Sequence, residues 1–185
     1  RNDDDQHGSI FDGNIIARSA GHAEGFINKG ANTIVNNVVA DLRPTHRHRG
    51  YLVLVRYDQK GAVHKGNVYH ASRADVTPIS ETKPGGRSKT GALLRDVDSD
   101  GNVYFSAVDP EWGSKALERF QPQSVEKTSR AGDPLFVDAD QDDYRFRPGS
   151  SALALGIPQP MSVSECGLEE PYRSRWYGPR MRTRI

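Results

Sequence analysis

The sequence predicts an all-β chain of short stacked parallel strands around a thin core, on two observations. The first is composition. The 185 residues are polar, with 35% hydrophobic and 8% aromatic side chains and a mean hydropathy of −0.70. Counted with Gly and without Tyr the apolar share is about 41%, below the roughly 45–50% usual for a domain with one thick core. It suits a repeat architecture in which each unit buries a narrow strip of side chains. The second is an internal repeat of small residue, Asn, β-branched residue and apolar residue. It reads Gly13-Asn14-Ile15-Ile16, Asn36-Asn37-Val38-Val39, Gly66-Asn67-Val68-Tyr69 and Gly101-Asn102-Val103-Tyr104, with the Asn positions stepping by 23, 30 and 35.

Each part of the repeat has a physical role. Ile34-Val35 and Val53-Leu54-Val55 are β-branched and aliphatic runs that favour strands. Gly and Asn accept the left-handed backbone of tight corners. If the strands stack in parallel, each Asn falls on the Asn of the next unit, and the amides can form a hydrogen-bonded ladder. A second pattern, Gly25-Phe26-Ile27-Asn28 and Gly50-Tyr51-Leu52-Val53, predicts alignment at a step of 25. The growing step implies loops inserted between units, which usually gather on one face.

The connections follow from their residues. Thr77–Thr90, with Pro78, Pro84, Gly85 and Gly86, reads as a loop. Asp109–Ala131 is a polar connection in which Glu111–Phe120 can form a short helix. Asp133-Pro134 leads into a strand through Val137, and Tyr144-Arg145-Phe146-Arg147 alternates, so Tyr144 and Phe146 share a face. Ser150 or Ser151 caps a one-turn helix through Ala152–Leu155, closed by Gly156. Residues 1–160 then form the stacked domain and its closing cap, and residues 161–185 an Arg-rich tail.

The closing segment, Asp133-Pro134-Leu135-Phe136-Val137-Asp138 followed by Asp143-Tyr144-Arg145-Phe146-Arg147-Pro148-Gly149-Ser150-Ser151-Ala152-Leu153, resembles the end of bacterial right-handed parallel β-helix proteins. These include pectate-lyase-like polysaccharide lyases and β-helix glycoside hydrolases, and the Gly-Asn-Ile/Val units resemble their rungs. The resemblance implies a right-handed parallel β-helix, all-β, present as its C-terminal rungs and cap with long insertions and one or two short helices. It implies a secreted or periplasmic, carbohydrate-active protein. It also implies that a second chain or a missing N-terminal segment supplies the earlier rungs.

The function expected from the resemblance is glycoside hydrolysis of a poly- or oligosaccharide. Two carboxyl groups must flank the scissile bond, about 5–5.5 Å apart for retention and roughly 6.5–9.5 Å for inversion. Asp4 or Asp5, in the run Asp3-Asp4-Asp5, and Glu24, one unit further on, are the candidate catalytic pair. His7, His22, His46, His48 and Arg49 are candidate substrate contacts, the dense cationic loop His46-Arg47-His48-Arg49 suiting a sugar carboxylate. The same loop supports an alternative, a polysaccharide lyase in which His or Arg removes a proton in β-elimination. A third reading is a non-catalytic glycan-binding protein of tailspike or adhesin type. Tyr51, Tyr57, Tyr69, Trp112 and Trp176 can stack on sugar rings or fill a core.

No cofactor is expected, with Ca²⁺ kept as the alternative. Asp96-Val97-Asp98-Ser99-Asp100-Gly101 resembles the start of a calcium loop, but Ala107 stands where such a loop needs Glu, so a corner of the repeat is the expected role. With 25 basic and 24 acidic residues the net charge is +1, and nothing global points to nucleic acid. No apolar run approaches the roughly 18 residues of a membrane span. Cys166 is the single cysteine, which excludes an internal disulfide.

Overall fold

A computed structural model describes residues 6–21, 24–45, 50–82 and 91–162, and of Glu24 the backbone alone. In chain order the elements are β1 (Ile10–Asp12), β2 (Ile15–Ala17), β3 (Ala20–Gly21), β4 (Glu24–Lys29), β5 (Thr33–Val35), β6 (Val38–Ala40), β7 (Arg43–Pro44), β8 (Gly50–Arg56), β9 (Val63–Lys65), β10 (Val68–Ala71), β11 (Val76–Glu81), β12 (Asp98–Asp100) and β13 (Val103–Ser106). Helix α1 (Trp112–Phe120), β14 (Arg130–Ala131), β15 (Phe136–Asp138), β16 (Asp143–Phe146) and α2 (Ser151–Ala154) complete them.

The strands pair in parallel across the repeat. One sheet runs β1-β5-β9-β12, a second β2-β6-β10-β13-β14 and a third β4-β8-β11, with β3 beside β7. Only β15 and β16 form an antiparallel pair of named strands among the described residues. The chain is thus all-β with mostly parallel pairing, but the expected closed right-handed parallel β-helix is not what it forms. Among the described residues the strands fall into separate sheets with no closed solenoid. The reason lies at the corners. Strands of three or four residues end at left-handed positions, such as Gly13, Asn36, Gly66 and Gly101, which turn the chain and interrupt the ladder between sheets. The third sheet also stops at β11, and α1 follows β13 instead of a further strand.

The second sheet is covered on both faces at its central strands β6, β10 and β13. Its register places Ile16, Val39, Tyr69 and Tyr104 in one column and Ile15, Val38, Val68 and Val103 in the next. Val39, Tyr69 and Tyr104 join Phe26, Ile34 and Val53 in the main core. Val38, Val68 and Val103 face the other way, onto Phe136, Tyr144 and Phe146 of the β15–β16 hairpin and Ala152 of α2. Two-sided burial explains the unbroken apolar character of these strands. Each fully buried valine is stabilising by about 1.5–3 kcal/mol relative to its exposed state.

The Asn residues stack in one column. Asn14 donates through its backbone N–H (2.9 Å) and Nδ2 (3.0 Å) to Oδ1 of Asn37. Asn37 does the same to Asn67 at 3.1 and 3.0 Å, and Asn67 to Asn102 at 2.8 and 3.1 Å. The second pattern pairs differently from expectation. Phe26 lies opposite Val53 and Glu24 opposite Tyr51, a step of 27 where 25 was predicted. A slip of two residues keeps each side chain on its face, so the apolar pattern does not exclude it.

The predicted Thr77–Thr90 loop is corrected at its start, because Val76–Glu81 is strand β11 and Thr82 bridges to Ala92. Pro78 is accommodated because β11 is an edge strand. The closing segment forms as expected. Tyr144 and Phe146 are buried while Arg145 is exposed, and Ser150 Oγ caps α2 by accepting from the Ala152 N–H.

Candidate functional site

The corner that follows the first sheet opens into a groove of about 500 Å³. Its floor is the ends of β5, β9 and β12, namely Val35, Lys65 and Asp100, with the corner residues Asn36, Gly66 and Gly101. Thr128 and the turn after α2, Leu155 to Ile157, form its walls. The short strands put these residues in register, so the groove runs across the strands and follows the Asn column.

The polar groups of the groove are fixed by neighbours. Lys65 Nζ lies 2.6 Å from Asp98 Oδ2. Asn36 Nδ2 donates to Asp12 Oδ1 at 2.9 Å. Asp100 Oδ1 accepts from the Thr128 N–H (2.7 Å), Thr128 Oγ1 (3.0 Å) and the Gly101 N–H (2.8 Å). Partial burial alone would push the Asp100 carboxyl up; the Thr128 and Gly101 donors overcome it and hold the group below the usual carboxylate range. Asp100 is therefore an ionised acceptor at neutral pH, unsuited to donating a proton.

A second depression, of about 440 Å³, lies beside β2 and is lined by Asn14, Ile15, Ala17, Asp142 and Tyr144 among others. Next to it Arg18 binds Asp142 Oδ1 (2.5 Å) and the carbonyls of Ala139 (2.8 Å) and Asp140 (3.0 Å). Asp41 receives Ser72 Oγ (2.5 Å) and Arg43 Nη2 (2.6 Å). These contacts, with those of Ser72 and Arg43 largest, keep Asp41 ionised against the opposing effect of burial. Arg18 and Asp41 both hold a left-handed backbone, at φ 54° and 47°. The cluster clamps the β15–β16 turn onto β2 and β6, which is a structural role.

The predicted site residues divide accordingly. Asp4, Asp5, His22, His46, His48 and Arg49 lie outside the described residues, as do Asp3 and Trp176. Glu24 begins β4, its backbone opposite Tyr51. His7 is exposed, and its Nδ1 accepts from the Ala31 N–H at 3.0 Å, so it pins a turn. Tyr69 and Trp112 are core residues, removed from any sugar-stacking role. Among the described residues no group of three His, Cys, Asp or Glu is placed to hold a metal. Asp98 and Asp100 of the calcium-like segment are engaged by Lys65 and Thr128.

Among the polar residues that sequence reasoning passed over is a buried carboxylate. Glu126 is fully buried and accepts from Ser99 Oγ, Ser129 Oγ (2.5 Å) and Asn102 Nδ2 (3.1 Å to each oxygen). Burial pushes its carboxyl up. It terminates the Asn column, and full burial separates it from substrate. A lone Glu in a polar connection carries no signal of this in the sequence. Deeper in the core, His64 is fully buried, its Nε2 3.0 Å from Asn28 Nδ2. Desolvation holds that imidazole down at about 4. No protein family, curated protein or solved structure matches the chain.

Proposed function

We propose that this chain binds a poly- or oligosaccharide along the groove of Asn36, Lys65, Asp100 and Thr128, as a non-catalytic glycan-binding surface. The chemistry of the lining supports the reading. Amide, ammonium, hydroxyl and carboxylate groups suit sugar hydroxyls, and Val35, Leu155 and Ile157 offer apolar contact for the C–H face of a ring. The observation that carries the choice of binding over hydrolysis is Asp100. It is the single carboxylate in the lining among the described residues, it is held ionised by three donors, and the neighbouring Asp98 and Asp12 are tied to Lys65 and Asn36. Glycoside hydrolysis needs a second carboxyl, and one of the two protonated.

Binding of a glycan array by the full chain, with product analysis of each bound polymer, tests the proposal. Retained binding without products is expected, and Lys65→Ala should weaken it by a factor on the order of five to ten. Release of an ultraviolet-absorbing unsaturated uronate would replace this reading with a lyase. Hydrolysis stands as the second reading, favoured by Glu24, whose strand position lies opposite the aromatic Tyr51. Reducing sugar that disappears in Glu24→Gln would establish it.

A further inference from the structure

The groove at the corner of the first sheet carries more negative charge than positive. Asp12, Val35, Lys65 and Asp100 stand in one row across β1, β5, β9 and β12, each the register partner of the next. Side chains of such a row project to one side of the sheet. The row crosses three strand spacings, roughly 14 Å from Asp12 to Asp100. Val35, Lys65 and Asp100 line the groove, and Asp12 joins it by accepting from Asn36 Nδ2 at 2.9 Å. Lys65 is the one cation among the described lining residues. Its Nζ lies 2.6 Å from Oδ2 of Asp98, two residues before Asp100 on the same face of β12. Three carboxylates against one ammonium leave a net charge of −2. Lys127 and Arg130 flank Thr128 in the chain, but neither lines the groove.

The arrangement of that charge decides what the groove can hold. It is spread along the row, and no three carboxylates gather to hold a metal ion among the described residues. A sugar hydroxyl both donates and accepts, so it can meet Asp100 and Lys65 alike. A sugar carboxylate or sulfate only accepts, and Lys65 is its one charged partner in the described lining. To take Lys65 it must share the ammonium with Asp98 and stand beside the ionised Asp100. Like charges set against each other cost affinity, and that cost is how a surface turns away wrong partners.

We infer that the groove is selective for glycans free of carboxylate and sulfate groups, with Asp100 and Asp98 as the residues that exclude acidic polymers. Asp100 acts directly, as a fixed charge in the lining. Asp98 acts through Lys65, whose ammonium it holds and half neutralises. Lys65 then serves as a hydrogen-bond donor to hydroxyls and not as an anchor for an anion. The inference rests on the glycan reading of this groove and narrows it to a ligand class. The uronate polymers that a lyase would cleave belong to the excluded class.

The test sets the full chain against matched pairs of oligomers that differ in charge alone. Oligogalacturonate is used before and after reduction of its carboxyl groups, and a cellulose oligomer before and after oxidation of its primary hydroxyls. Calorimetric titration at low and at high salt measures each affinity. The uncharged form should bind on the order of tenfold more tightly than the acidic one at low salt. Added salt should narrow that gap, because the repulsion is screened. Asp98→Asn and Asp100→Asn each remove one negative charge while keeping the side chain's size, and each should improve binding of the acidic form by about threefold. The comparison of the two forms on the unaltered chain stands whether or not the variants fold. An acidic form that binds as tightly as its uncharged partner, or a gap that neither salt nor either variant moves, overturns the inference and leaves the glycan reading intact. Failure of every oligomer and of the glycan array to bind overturns the glycan reading itself, and this inference with it.

Discussion

The two ends of the Asn column make opposite use of the same side chain. At Asn102 the column closes inside the protein. Ser129 and Glu126 take up its N–H and Nδ2, and α1 packs on β13, the strand that follows Asn102. At Asn14, which is exposed, no described residue donates to the Oδ1. Between them, Asn37 and Asn67 are buried and bonded on both sides. One residue type at one kind of corner is therefore worth very different amounts, according to what covers it.

Substitution along the column sharpens this comparison most. Asn67→Ala removes the acceptor of the Asn37 N–H and Nδ2 and the donor to Ile34 O and Asn102 Oδ1. Leaving two or three buried groups unmatched should cost about 4 kcal/mol, and Asn14→Ala, with water available, about 1 kcal/mol. Urea denaturation of the two variants checks the difference; equal losses would break the comparison.

The next effect is one of pH. Unfolded His64 takes up a proton near 6.5, folded His64 near 4. A lowered pKa means that stability is full above 6.5 and falls as the pH drops toward 4, by roughly 3 kcal/mol for this group. Glu126, whose carboxyl is pushed up by burial, acts in the opposite sense and recovers stability on acidification. Denaturation at pH 7 and pH 4.5 should show a loss that His64→Gln reduces.

The smallest contrast concerns two corner glycines of nearly equal φ, +65° at Gly66 and +67° at Gly13. A Cβ on Gly66 would lie 2.8 Å from Asn36 Oδ1, whereas one on Gly13 would meet open space. Gly13→Ala should cost about 1 kcal/mol for the left-handed backbone alone, and Gly66→Ala about 2 kcal/mol. Thermal melting resolves the two.

The column was legible in the sequence because it rests on a local rule repeated. Corner, Asn and two apolar residues recur, and the spacings of 23, 30 and 35 become hydrogen bonds between Asn14, Asn37, Asn67 and Asn102. The strand pairing of β4 with β8 was misplaced by two residues, since alternation alone permits the slip. Pro78 hid β11, because a proline in a strand is allowed at an edge and the edge is a property of the whole sheet. Sheet closure is equally non-local, and the expected solenoid did not follow from the repeat. The groove was not legible at all. Lys65, Asp100 and Thr128 converge only through stacking; Lys65 and Thr128 do not stand out in their own segments, and Asp100 stands out only as part of a calcium-like turn.

The bonds of the column keep nearly one length, 3.0, 3.0 and 3.1 Å, whether 23, 30 or 35 residues separate the partners. Seven or twelve additional residues between corners thus leave the amide spacing untouched. Such a backbone tolerates the exchange of whole surface segments, in evolution or by grafting, while its spine of asparagines stays the same.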